Sequence, residues 1–100
     1  ICGANDQGAL GLLAAMQEHG VHIPQQLSVT GMDDIPYARI SSPSLTSVTN
    51  DSVAFAREGV RMLFERIEGL VTGEPRDVVV RHELIVRSSV SVPRERYKDS

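Results

Sequence analysis

Within its first 31 residues the chain runs through strand, helix, turn and strand, an order that leaves few folds open. Ile1-Cys2-Gly3-Ala4 is a short apolar strand. Asn5-Asp6 stops it and can start a helix, because either side chain accepts hydrogen bonds from the free amides of a first turn. Ala9, Leu12, Leu13 and Met16 recur at spacings of three and four, which predicts a helix from about Gln7 or Gly8 to His19 with one buried face. Gly8 and Gly11 each weaken that helix by up to about 1 kcal/mol relative to Ala, which leaves two readings open, a close approach to the backbone in these turns or an indifferent surface helix. Gly20 suits a left-handed helix stop, Val21 is placed to pack back on the last turn, and Ile23-Pro24 demands an extended connection. Leu27 to Gly31 is a second strand. Two strands joined through a helix in this way form a right-handed crossover and lie parallel in one sheet.

Gly31-Met32-Asp33-Asp34 follows the second strand, and open α/β sheets carry their ligands beyond the carboxyl ends of their strands. Asn5 and Asp6 stand at the equivalent end of the first strand. Two neighbouring strands thus bring Asn-Asp and Asp-Asp to one rim, the clearest functional feature of the pattern.

Beyond the rim, Ile35 to Ile40 reads as a short helical turn, with Pro36 tolerated near its start. Ser41 to Ser44 is a loop and Leu45 to Thr49 is β-prone. Asn50-Asp51-Ser52 offers capping side chains before a helix from about Val53 to Leu70. Its expected buried stripe is Val53, Ala56, Val60, Leu63, Ile67 and Leu70 or Val71, widened by Phe55, Met62 and Phe64, with Arg61 and Glu65 paired on the surface. Gly69 falls in the last turns, Gly73 ends the element, Val78–Val80 begins a strand and Leu84–Val86 continues it. Residues 91–100 are expected to form a flexible tail. A parallel sheet needs cover on both faces, and two long helices cover four or five strands thinly. Apolar surface should therefore be exposed, which favours a missing part or a tight partner.

Charge excludes several functions. The chain has 10 Lys and Arg against 13 Asp and Glu, and Arg39 is the one basic residue before position 51. No basic stripe is present to neutralise phosphates, so nucleic acid is not expected to bind this segment directly. No apolar run reaches the roughly 18–20 residues of a membrane span. The opening lacks Met and any signal-peptide pattern, and it reads as a strand entered part-way, as in a piece of a longer protein.

Three readings of Asp33-Asp34 stay open: hydrogen bonding to a ligand through one Asp, turn and cap structure, or metal and acid–base chemistry. The last is the weakest, because adjacent residues at a strand end point to different sides. His19, His22 and His82 do not form a zinc pattern with Cys2, which reads as an inert core thiol. Gly3 to Gly8 lacks dinucleotide spacing, and nothing marks a nucleophile elbow. No catalytic residue, metal or cofactor is implied.

Ala4-Asn5-Asp6-Gln7-Gly8-Ala9-Leu10-Gly11, Gly20 and Pro24, Ser28 to Asp34, Pro43-Ser44-Leu45-Thr46-Ser47-Val48 and His82 to Ser89, in this order, closely resemble the effector-binding domain of the LacI/GalR family of bacterial transcription regulators. The resemblance covers residues 1–90. It implies an α/β, parallel-sheet, periplasmic-binding-protein-like fold, here part of a two-lobed domain: residues 1–45 and about 84–90 in the second lobe, and about 50–80 in the first. Members carry N-terminal helix-turn-helix heads that bind operator DNA, and their lobes close on a small effector, often a sugar or nucleobase. By this resemblance Asn5 and Asp33 contact the effector, Asn50 lines the cleft, Asp6 caps its helix and Asp34 fixes the turn. Met32 stands where an aromatic residue is frequent. Leu10, Ala14, Gln17 and the segment from Tyr37 through Ser41 to Ser42 are implied at a homodimer interface. The protein implied is cytoplasmic and non-enzymatic. A related alternative is a periplasmic solute-binding protein for sugar transport, which the upstream coding sequence would distinguish by a signal peptide in place of a helix-turn-helix segment.

Overall fold

The computed structural model describes residues 1–93. It divides into two compact units, one made of residues 1–50 with the chain from 83 onward, the other of residues 51–82.

In the first unit, α1 spans Asp6–Glu18 and opens on Asn5, an extended residue (φ −150°, ψ 172°) whose side chain accepts the Gly8 N–H at 2.7 Å. The helix closes as its glycine foretells. Gly20 takes φ +75°, and the Val21 and Gly20 amides return to Met16 O (2.9 Å) and Gln17 O (3.1 Å), satisfying two end carbonyls. Ala9 and Leu13 are buried with Ile23, Val29, Ala38 and Leu45, and Leu10, Leu12, Met16, Leu27 and Ile35 pack against this core. The backbone approach expected at Gly8 comes from its own cap, with Asn5 Oδ1 3.1 Å from where a Cβ would sit; Gly11 has open space around it.

The opening segment and the segment around Thr30 pair in parallel through Cys2 and Thr30, with Gly3 N–H to Thr30 O at 2.7 Å and Thr30 N–H to Ile1 O at 2.9 Å. Thr30 bridges onward to Thr46, and Asp33 to Thr49, again in parallel. Between them lies α2 (Pro36–Ile40), with proline in its first turn as expected. The third segment contains β1 (Ser47–Val48), which pairs antiparallel with β2 (Leu84–Ile85). The sheet is therefore parallel through three segments and closes on an antiparallel fourth. Cys2 is exposed, not a core thiol, because its segment is at the sheet edge with one neighbour and uncovered among the described residues. Ser91, expected in the tail, is tied down by its N–H to Ser28 Oγ (3.1 Å) and its hydroxyl to Pro24 O (3.0 Å). The rest of that expected tail, residues 94–100, lies outside the described residues.

The second unit is built on α3 (Ser52–Ile67), capped by the Asp51 side chain, which accepts the Ala54 N–H at 3.0 Å. The helix ends earlier than Leu70. Gly69 at φ +75° lets the Leu70 amide return to Glu65 O at 2.9 Å, so Gly69 is the stop. Arg66 then ties down the following loop, donating to Gly73 O at 2.8 Å and Glu74 O at 2.5 Å. Arg61 pairs with both Glu58 and Glu65, and Arg76 reaches Glu65 at 3.0 Å. The expected buried stripe is not buried. No residue of α3 is, and Phe55 (64% exposed), Leu63 (57%) and Phe64 (52%) face outward, since periodicity marks a side without supplying what covers it. Val78–Val80 forms no strand, for it has no pairing neighbour among the described residues and Val79 is 93% exposed.

Candidate functional site

The parallel register decides which polar residues share an edge. Cys2 is opposite Thr30, so Asn5 and Asp33 each lie three residues beyond the same bridge. Asp33 is opposite Thr49, and Asn50 is the next residue along. Asn5, Asp33 and Asn50 thus stand at the carboxyl ends of three consecutive parallel segments, where open α/β sheets hold ligands. Asn50 Nδ2 donates to Asp33 Oδ1 at 3.3 Å, bringing two of the three expected site residues together. Asn5 and Asn50 are exposed and Asp33 is half-buried.

The turn after the second segment sorts the two aspartates. Both have left-handed backbone, with φ 113° at Asp33 and 53° at Asp34. Asp33 N–H donates to Val48 O at 2.9 Å, keeping this residue in the sheet. Asp34 N–H donates to Ser47 Oγ at 3.0 Å. The Asp34 carboxylate takes Arg87 Nη2 at 2.5 Å and lies 3.7 Å from Arg39 Nη2, so its charge is met within the chain, as suits a turn-fixing residue. Asp33 has no ion pair among the described residues. The side chain that meets it is the neutral Asn50, and a carboxylate in that position is chemically able to accept charge-assisted hydrogen bonds.

The cap assignment is corrected. Asn5 caps α1, and Asp6 does not. Asp6 is one residue inside the helix and fully buried. Its Oδ1 accepts the Ser47 hydroxyl at 2.6 Å and its Oδ2 accepts the Ile35 N–H at 2.9 Å at the head of α2. The extended backbone of the cap residue lets its side chain fold back over the first turn, whereas Asp6, already helical, is turned into the protein. Asn5 therefore spends its Oδ1 on Gly8.

Three residues escaped the sequence reading. Ser47 links Asp6 to Asp34. Ser89, fully buried, donates to Val29 O at 2.5 Å and accepts the Thr46 N–H at 2.9 Å. Arg87 holds Asp34 and Leu45 O (2.8 Å). An arginine following Leu84-Ile85-Val86 was the available signal, since a charge carried into an apolar segment needs a partner.

The residues implied at a dimer interface divide. Leu10 packs on the core, Gln17 Nε2 donates to Ser42 O at 2.7 Å, and Ser41 Oγ is within reach of Ala38 O (3.2 Å) and Pro43 O (3.0 Å). Ala14 is exposed, and so are Tyr37 (66%) and Ile40 (74%). Among the described residues no three His, Cys, Asp or Glu side chains gather closely enough for a metal ion, and no helix is long and apolar enough to cross a membrane.

A parallel α/β unit with polar residues gathered at its strand ends has the layout of a small-molecule binding domain. Comparison with known proteins narrows this class: residues 1–90 match the periplasmic binding protein-like domain, and the chain belongs to that family, in its LacI/GalR group of transcription regulators. The HTH-type transcriptional repressor PurR of Pasteurella multocida is 38% identical over 87 residues, which cover 86% of this chain and 25% of that protein. A LacI-type transcription regulator from Bifidobacterium animalis subsp. lactis superposes with a TM-score of 0.76 at 39% identity, over 88% of this chain and 31% of that one. The transcriptional regulator CelR in complex with cellobiose superposes with a TM-score of 0.82 at 34% identity, over 88% of this chain and 27% of that one. The chain spans about a quarter of the length of the curated relatives it matches.

Proposed function

We propose that this chain is an effector-sensing segment of a LacI-type transcription regulator, taking a small sugar-like or nucleobase-like ligand at the strand-end rim of its first unit. The observation that carries the reading is Asp33, a half-buried carboxylate without an ion pair among the described residues, in register with Asn5 and joined by Asn50. Asp33 accepts ligand hydroxyl or ring N–H donors, and Asn50 orients it and adds a second polar contact. Asn5 contributes its carboxamide beyond the oxygen committed to Gly8. The two compact units correspond to parts of the two lobes, residues 51–82 belonging to the first. The role is non-enzymatic and cytoplasmic, DNA is bound through N-terminal heads, and a homodimer forms with Ala14, Tyr37 and Ile40 on its exposed face. Ligand changes the state of such a regulator only through its differential affinity for the two states. The repressor names of the relatives and the cellobiose held by CelR support this reading.

Calorimetric titration of the intact protein with cellobiose, lactose, adenine and guanine tests it. One of these classes is expected to bind without being consumed. Asp33→Asn should weaken that binding about 10- to 150-fold, from the roughly 1.5–3 kcal/mol of a charged hydrogen bond. Binding unaffected by Asp33→Asn, or turnover of the ligand, would refute it.

A further inference from the structure

The rim depends on a turn that the chain holds from a distance. Two successive non-glycine residues with positive φ, Asp33 and Asp34, are a conformation that persists only where the surroundings over-determine it. Three contacts do so here. Asp33 N–H is fixed on Val48 O. Asp34 N–H is fixed on Ser47 Oγ, and that hydroxyl is itself committed to Asp6 Oδ1. The Asp34 carboxylate is fixed on Arg87, 53 residues further along. Arg87 is well placed to act as an anchor. Its side chain is only 13% exposed, its Nη1 donates to Leu45 O at 2.8 Å, and its backbone N–H donates to Thr46 Oγ1 at 2.9 Å, so both the main chain and the guanidinium of this residue are held independently of Asp34. A planar guanidinium can satisfy the carbonyl and the carboxylate together, which a lysine ammonium, as a point charge on a flexible stem, does less well.

We infer that Arg87 is a positioning residue for the ligand rim: through Asp34 it keeps the 33–34 turn left-handed, with Asp34 turned inward and Asp33 left at the edge beside Asn50. The pair also divides the labour of the two carboxylates, since Arg87 occupies the charge of Asp34 and leaves that of Asp33 for a ligand. The consequence for affinity rests on the effector reading of Asp33, whereas the consequence for the turn does not.

The test separates the two. In the ligand-free intact protein, NMR three-bond HN–Hα couplings of residues 33 and 34 report their φ angles in wild type, Arg87→Gln, Arg87→Lys and Asp34→Asn. Arg87→Gln should shift both couplings away from their left-handed values while the α1 amide resonances stay in place, and Arg87→Lys should restore part of the shift. Asp34→Asn, which leaves Arg87 and the side-chain volume intact, should shift them in the same direction, and it carries the test if Arg87→Gln does not fold. Unchanged couplings in Arg87→Gln or in Asp34→Asn would overturn the inference, as would an equal shift in Arg87→Lys and Arg87→Gln. Where a sugar or nucleobase of the panel binds wild type, Arg87→Gln should raise its Kd about tenfold. Shifted couplings with unchanged Kd support the positioning role and refute the effector reading of Asp33.

Discussion

Removing the Asp6 carboxylate should cost far more than its position beside a helix cap implies. The group is fully buried and accepts two hydrogen bonds, from the Ser47 hydroxyl at 2.6 Å and the Ile35 amide at 2.9 Å. Hydrogen bonds to a charged group contribute about 1.5–3 kcal/mol each, and each buried donor left without a partner costs about 1–3 kcal/mol. Burying a carboxylate with no cation against it already carries a desolvation penalty, which its removal returns, so these contributions do not simply add. The Ser47 hydroxyl can also turn, whereas the Ile35 amide cannot. The net expectation is a loss of about 2–4 kcal/mol for Asp6→Ala. Asp6→Asn, which matches the shape but sets an N–H2 against one of the two donors, should lose about 1–3 kcal/mol. Urea unfolding of the intact protein measures both. With a slope near 2 kcal/mol per molar, a loss of about 3 kcal/mol moves the midpoint down by about 1.5 M. Asp6→Ala within about 0.5 kcal/mol of wild type would refute the reasoning, because it would mean that neither donor depends on the carboxylate.

Two further outcomes follow from particular contacts. A Cβ on Gly31 would fall inside the van der Waals shell of Asp6 Oδ1 and 3.0 Å from Leu45 Cδ2, so Gly31→Ala should destabilise by about 1–3 kcal/mol, measured in the same unfolding experiment; a neutral result would show that the Asp6 side chain yields freely. On α3, the hydrogen bond from Arg61 holds the Glu58 carboxyl below the ordinary glutamate pKa, and Glu58 correspondingly raises that of Arg61. A lowered folded-state pKa stabilises above the unfolded pKa and is lost as pH falls through the folded one, so any helicity difference between wild type and Glu58→Gln should shrink on acidification into that range. A circular-dichroism difference that grows with acid would contradict this sign.

Much of the first unit was legible because its signals are local. The a-turn-apart apolar residues Ala9 and Leu13 are buried, Gly20 supplies the left-handed stop, and Pro36 opens α2 where its ring fits a first turn. The parallel pairing also followed, since a helix between two strands returns the chain in the same direction. The exchange of roles between Asn5 and Asp6 was not legible: both can cap, and only the phase of the helix start decides which does. On α3 the apolar stripe is as regular as that of α1, yet no α3 residue is buried, because a stripe records a preference for cover and not the presence of it. Val78–Val80 shows the same limit for strands, whose backbone needs a neighbour before β-prone residues form a ladder.

By itself, the sequence determined several local features of this protein: where α1 stops and α2 starts, which way its first strands run, and that the strand ends carrying Asn5 and Asp33 come to a common edge. Tertiary structure alone decided which of the two rim carboxylates has an ion pair among the described residues. Asp34 meets Arg87 across 53 positions and Asp6 meets Ser47 across 41. Contacts so far apart in the chain leave no periodic trace, because they depend on the register of strands that the intervening segments bring together.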